Sequence, residues 1–87
     1  PLPLVKGADL ITEPMAQWVA PTIPSLYVTA VRVTSNSLKS ITLDPRLLRG
    51  DFLAASAQHT RVNPAGEDGD TTTWYVISGQ PFDEVSP

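Results

Sequence analysis

The clearest alternation of side-chain character runs from Thr71 to Ser78, where Thr73, Tyr75 and Ile77 share one face and Trp74 and Val76 the other. β-branched and aromatic residues at period two predict a half-buried strand, closed by Gly79 and Pro81. A second run, Leu26 to Thr34, is equally rich in such residues and free of Gly and Pro. Tyr27, Thr29, Val31 and Val33 fall on one face, and Leu26, Val28, Ala30, Arg32 and Thr34 on the other. Apolar character changes face midway, so this strand is expected to be covered on both sides at its start.

Ser35, Asn36 and Ser37 form a turn cluster, since short polar side chains bond to nearby backbone. A hairpin is expected to follow, with Lys39, Ile41 and Leu43 alternating with Leu38, Ser40 and Thr42 until Asp44-Pro45 ends the strand. Arg46 to Gly50 reads as a loop or a single helical turn. From Asp51 to His59 helix and strand have comparable support. A strand is preferred because Phe52 and Leu53 open a run between two turn signals and the flanking strands need a partner. Val62 to Asp70 is the longest polar stretch, with Asn63-Pro64-Ala65-Gly66 fitting a type I turn and Glu67 to Asp70 a solvated tip.

Residues 1–25 carry five of the nine prolines. Proline removes a ladder donor, so an extended arm packing on the domain is expected there rather than a regular strand. Within it Thr12 to Val19 is compatible with one short helical segment, Thr12 capping it and Met15, Trp18 and Val19 forming its apolar face. Residues 26–80 are expected to be the folded body and residues 81–87 a frayed tail. Strands separated by short turns, without long helices, predict an all-β fold: a small Ig-like β-sandwich with a proline-rich N-terminal arm and at most one short helix.

Length limits what such a chain can do. With 87 residues it holds one domain, which buries roughly 60–65% of its unfolded surface and leaves little room for an enclosed active site. It begins at Pro1 without an initiator methionine, so it is expected to be part of a longer protein. Hydrophobic residues at 41% and charged residues at 17% separate it from disordered polyelectrolytes. No apolar run approaches the length of a membrane span. A net charge of −3 has the wrong sign for neutralising phosphates, so nucleic acid is not expected as a direct partner.

Candidate chemistry is sparse. His59 is the one histidine, and a nucleophile such as Ser56 or Thr60 would need it within hydrogen-bond reach, oriented by a third group. Nothing in the spacing supplies that set, so no catalytic residue is assigned and a non-enzymatic role is expected. One histidine and no cysteine leave no zinc site and no disulfide. Glu67, Asp68 and Asp70 are oxygen-rich, but their spacing is not that of an EF-hand, and a solvated turn is favoured over calcium binding. No metal or cofactor is assigned. Arg49-Gly50-Asp51 spells an adhesive tripeptide, yet a tight glycine turn is favoured. Asp44, Arg46, Arg49 and Asp51 are candidates for a local ion-pair cluster.

Tyr27-Val-Thr-Ala-Val-Arg-Val-Thr-Ser-Asn-Ser, Ile41-Thr-Leu-Asp-Pro-Arg-Leu-Leu-Arg-Gly-Asp-Phe, Gln58-His59 and Thr71-Thr-Thr-Trp-Tyr-Val-Ile together resemble the C-terminal region of TraK-like proteins, particularly those of integrating conjugative elements. The resemblance spans roughly residues 26–80. It implies a β-sandwich in the outer-membrane core of a conjugative type IV secretion system, in the periplasm and associated with the outer membrane. The implied partners are other channel subunits, above all a small outer-membrane lipoprotein, within a homo-oligomeric ring of the full-length protein. Without cysteine, any such contact is non-covalent.

The resemblance transfers no contact residues. On physical grounds the edge of the strand Leu26 to Thr34 is a candidate docking edge, unless the arm covers it. Tyr27, Thr29, Arg32 and Trp74 are the candidate partner-binding residues. The alternative is an Ig-like accessory or adhesive module that binds a carbohydrate or host protein, suggested by the adjacent aromatics Trp74 and Tyr75.

Overall fold

The computed structural model describes residues 9–86. The chain is mostly β, with strands β1 (Leu10–Ala20), β2 (Leu26–Ser35), β3 (Ile41–Thr42), β4 (Ala54–Ala57), β5 (Arg61–Val62) and β6 (Thr71–Ser78). A single 3-10 turn spans Pro45–Leu47, and one short helix, α1, spans Phe82–Val85. β1, β2, β6 and β4 form a four-stranded antiparallel sheet in that order, while β3 and β5 pair as a separate two-stranded sheet.

β6 and β2 follow their expected alternation and lie at the centre of the large sheet. Val31 pairs with Trp74 and Thr29 with Val76. Partners in register share a face, so Val31, Val33, Trp74 and Val76 line the inner side, where all four are wholly buried. Across from them, Leu43, Val62 and Phe82 complete the core, with Leu48 and Phe52 packed at its margin. The covering layer thus comes from the small sheet, the 3-10 turn and α1. Each fully buried side chain of this size contributes roughly 1.5–3 kcal/mol, so these few residues supply most of the driving force available to so small a domain.

Several expectations are overturned. Residues 10–20 of the expected arm are a full strand, and Thr12 to Val19 is extended rather than helical. Pro14 is accommodated because β1 is an edge strand, where a missing donor faces no neighbour. β1 pairs with β2 from Leu10↔Ser35 to Ala20↔Leu26, so β2 is a central strand and its edge is closed to partners. The first eight residues of the arm and Pro87 lie outside the described residues.

The hairpin expected after β2 does not form, because Ile41 and Thr42 turn away to pair with Val62 and Arg61. The strand within 51–59 is present but shorter, Ala54–Ala57, and pairs with β6. Phe82 and Val85 of the expected frayed tail are buried at i and i+3 on α1. The proline turn is shifted by one residue: Glu67 N–H donates to the Pro64 carbonyl, which puts Gly66, at φ 86°, third in the turn, as type II requires.

Candidate functional site

The inner face of the large sheet is occupied by the core, and the outer face is open. Two cross-strand rows cross it. Trp18, Val28, Ile77 and Ala54 form one, and Ala16, Ala30, Tyr75 and Ser56 the next. Trp18 is 52% exposed and Tyr75 40%. Ala30 is nevertheless buried, sheltered among larger neighbours. A third row is polar: Arg32 pairs with Glu13 across the strands in an exposed ion pair, and Thr73 follows on β6. The outer face is thus apolar toward the β1–β2 turn and more polar toward the other end, where Thr34 and Thr71 flank the exposed Ile11. No described element covers it.

A bulge in β1 shapes the opposite side of the same strand. The register with β2 shifts between Pro14 and Ala16, so Met15 is an extra residue and the alternation reverses beyond it. Gln17 therefore sits on the inner face, where its Oε1 accepts a hydrogen bond of 2.8 Å from the Phe82 N–H. Between the bulge and α1 lies a cleft of about 360 Å³, lined by Pro14, Met15, Ala16, Gln17, Thr29, Phe82 and Asp83. Thr29 is 2% exposed, and its Oγ1 is the one buried side-chain polar atom without a hydrogen-bond partner among the described residues. The other buried hydroxyls differ: Thr72 Oγ1 accepts from the His59 N–H, and Ser78 Oγ donates to the Gln80 carbonyl.

The four candidate partner-binding residues do not converge. Arg32 is exposed on the outer face, tied to Glu13. Tyr27 is half-buried on the inner face opposite Val19, and Thr29 is among the residues that line the cleft. Trp74 is wholly buried at the centre of the core, so its indole supports the fold rather than meeting a partner. Trp74 and Tyr75 point to opposite sides of the sheet and form no common stacking platform. Gln17 and Asp83 are not singled out by the sequence. Trp18 stands out there as a large aromatic, a candidate anchor with a core position as the default, and the structure places it exposed on the outer face.

His59 is exposed beside a wider cleft of about 590 Å³ that includes Ala57, Thr60, Arg61 and Asn63. Among the described residues no hydrogen bond joins its ring to Ser56 or Thr60. Asp70 is engaged in its own loop, accepting from the Gly66 N–H and the Thr71 hydroxyl. Asp44 caps the 3-10 turn through the Arg46 N–H and pairs with the Arg46 guanidinium at 2.8 Å. Those side-chain and backbone hydrogen bonds from Arg46 hold its carboxyl below the usual aspartate value. Arg49 and Asp51 have no place in that ion pair: Gly50, at φ 120°, packs against the Val85 carbonyl, and the Asp51 N–H donates to the same oxygen.

Fold and surface define a small mostly-β domain that pairs a packed inner face with an open, partly apolar outer one. The chain belongs to the DUF3438 family, described as proteins of unknown function, whose model matches residues 4–86. No curated protein and no solved structure matches it.

Proposed function

We propose that this domain is a non-catalytic assembly module, binding a neighbouring subunit or a small lipoprotein through the outer face of its large sheet. One observation carries the proposal: Trp18, Val28, Ile77 and Tyr75 occupy adjacent cross-strand positions on a face that no described part of the chain covers, with Trp18 52% exposed. Large aromatics held on a rigid sheet lose little entropy on association and are the residues that most often anchor interfaces. The polar row of Glu13, Arg32 and Thr73 gives the patch a rim on one side.

The cellular setting rests on the resemblance to TraK-like proteins. It supports a place in the outer-membrane core of a conjugative type IV secretion apparatus, in the periplasm, where the two sheets act as a minimal β-sandwich in a homo-oligomeric ring. An interface of standard size takes about 800 Å² from each partner. Four strands about 4.8 Å apart, averaging about eight residues at about 3.3 Å each, project roughly 500 Å² before side-chain relief is added, so the face can form the centre of such a contact.

The test is a resonance-shift titration with the lipoprotein encoded beside the parent gene. Shifts are expected to cluster on Trp18, Val28, Tyr75 and Ile77, and Trp18→Ser in the full-length protein is expected to lower DNA-transfer frequency at least tenfold. A scattered or absent footprint, together with transfer at the unmodified frequency in the Trp18→Ser strain, overturns the proposal.

A further inference from the structure

The cleft beneath the β1 bulge has features that the outer face lacks. Thr29 is part of its lining and is 2% exposed, and its Oγ1 is buried without a hydrogen-bond partner among the described residues. Buried polar atoms are nearly always paired, so an orphan on a residue that lines an open cleft points to a group that arrives from outside. The walls are mostly apolar, from Pro14, Met15, Ala16 and Phe82, with Gln17 the one neutral polar residue besides Thr29. Asp83, exposed at the mouth, is the one charged residue lining the cleft, and Glu84 follows it. Neither acid takes part in an ion pair among the described residues.

We infer that this cleft is a second binding site, which receives a lysine or arginine side chain from an extended segment of a protein partner. The alkyl stem would lie along Met15, Pro14 and Phe82. The cationic head would donate to Thr29 Oγ1, with the Asp83 carboxylate supplying the opposite charge. Charge decides the class of side chain, because the lining offers one carboxylate and no cation. Size agrees: about 360 Å³ is near the lower end of ligand pockets and suits one long side chain with its flanking backbone. A peptide is favoured over a free amine by the position of the cleft. It opens along the exposed edge of β1, where a peptide backbone finds unpaired main-chain groups that a small amine cannot use.

The bulge makes this site. Were Met15 a regular position of the ladder instead of a bulge, the alternation of β1 would turn Gln17 outward, and the hydrogen bond that holds α1 at the far wall would be lost. Ala16 borders both sites, but Thr29 and Gln17 of the cleft and Trp18 and Tyr75 of the apolar rows lie on opposite faces of the sheet, so this site and the outer-face proposal can each fail alone.

The experiment titrates the 87-residue chain with capped pentapeptides that differ at the central residue: lysine, arginine, norleucine or glutamate. Free butylamine is a further probe. The lysine and arginine peptides are expected to shift the resonances of Met15, Gln17, Thr29 and Asp83, while norleucine binds at least fivefold more weakly and glutamate not at all. Thr29→Val is expected to weaken the lysine peptide at least fivefold while the domain stays folded by thermal unfolding. Asp83→Lys, a change at an exposed position, is expected to abolish binding. Equal binding of norleucine and lysine peptides, unchanged binding by Asp83→Lys, or no shift with any peptide at millimolar concentration overturns the inference. Butylamine binding as tightly as the lysine peptide overturns the peptide as occupant.

Discussion

Gln17 and Phe82, sixty-five positions apart, are joined by one hydrogen bond in which the Phe82 N–H donates to Gln17 Oε1 at 2.8 Å. The bond fastens the first residue of α1 to the edge strand and sets the width of the cleft between them. α1 has four residues and no side-chain cap, so it holds its place by this bond and by the burial of Phe82 and Val85.

Gln17→Ala is therefore expected to lower stability by about 1 kcal/mol, the usual consequence of leaving a partly buried donor unpaired. For a domain of this size that is a drop in melting temperature of roughly 4–8 °C. Hydrogen exchange should rise selectively at Phe82 and Ser86. A variant that melts like the parent with unchanged exchange would show that α1 is held by its apolar contacts alone.

Gly50 is expected to be intolerant of any side chain. Its φ of 120° is a conformation that L residues rarely adopt, and a Cβ there would fall on the Val85 carbonyl oxygen and within 2.7 Å of the Phe52 ring. Strain alone costs about 1–3 kcal/mol, and displacing Phe52 adds to it. Gly50→Ala should unfold at distinctly lower denaturant than Asp51→Ala, which removes only an exposed carboxylate. Equal midpoints would count against a structural role for this glycine.

The two tryptophans are expected to part company. Trp74 is wholly buried among Val31, Val33 and Val76, and Trp74→Ala should cost about 3–5 kcal/mol, enough to unfold much of a small domain. Trp18→Ser removes an exposed ring and should leave the melting temperature within a few degrees, since surface changes usually stay within about 0.5 kcal/mol. Circular dichroism melts of both variants check this directly.

How much of this was legible depended on whether local pattern and tertiary position agreed. β6 was plain because Trp74 and Val76 alternate with Tyr75 and Ile77 and both faces of a central strand impose the period. β1 was hidden, because Pro14 signals a break in any isolated segment and is harmless only once the strand lies at an edge, a fact fixed by the rest of the sheet. Likewise Phe82 and Val85 sit in a short acidic stretch that looks frayed until the open end of the sheet is there to bury them. The cleft was illegible for a related reason. It depends on a one-residue bulge, which no alternation in β1 announces, and on Thr29, whose missing partner is a property of the folded core.

The Asp44–Arg46 pair sets a pH dependence of known sign. Hydrogen bonds from the Arg46 guanidinium and N–H lower the Asp44 pKa in the folded state below its ordinary value, near 3.9 in unfolded chains. A carboxyl with a depressed folded pKa contributes stability that is fully present above the unfolded value and lost as pH falls through the folded one. The difference in stability between the parent and Asp44→Asn should therefore be constant from neutral pH down to about 5 and shrink below about 4. Arg46 is solvent-exposed and Asp44 partly so, and added salt should reduce the difference as well. Denaturant melts of the two proteins across that range provide the measurement, and a difference that widens on acidification would mean that the carboxyl is not stabilised by Arg46 in the folded state.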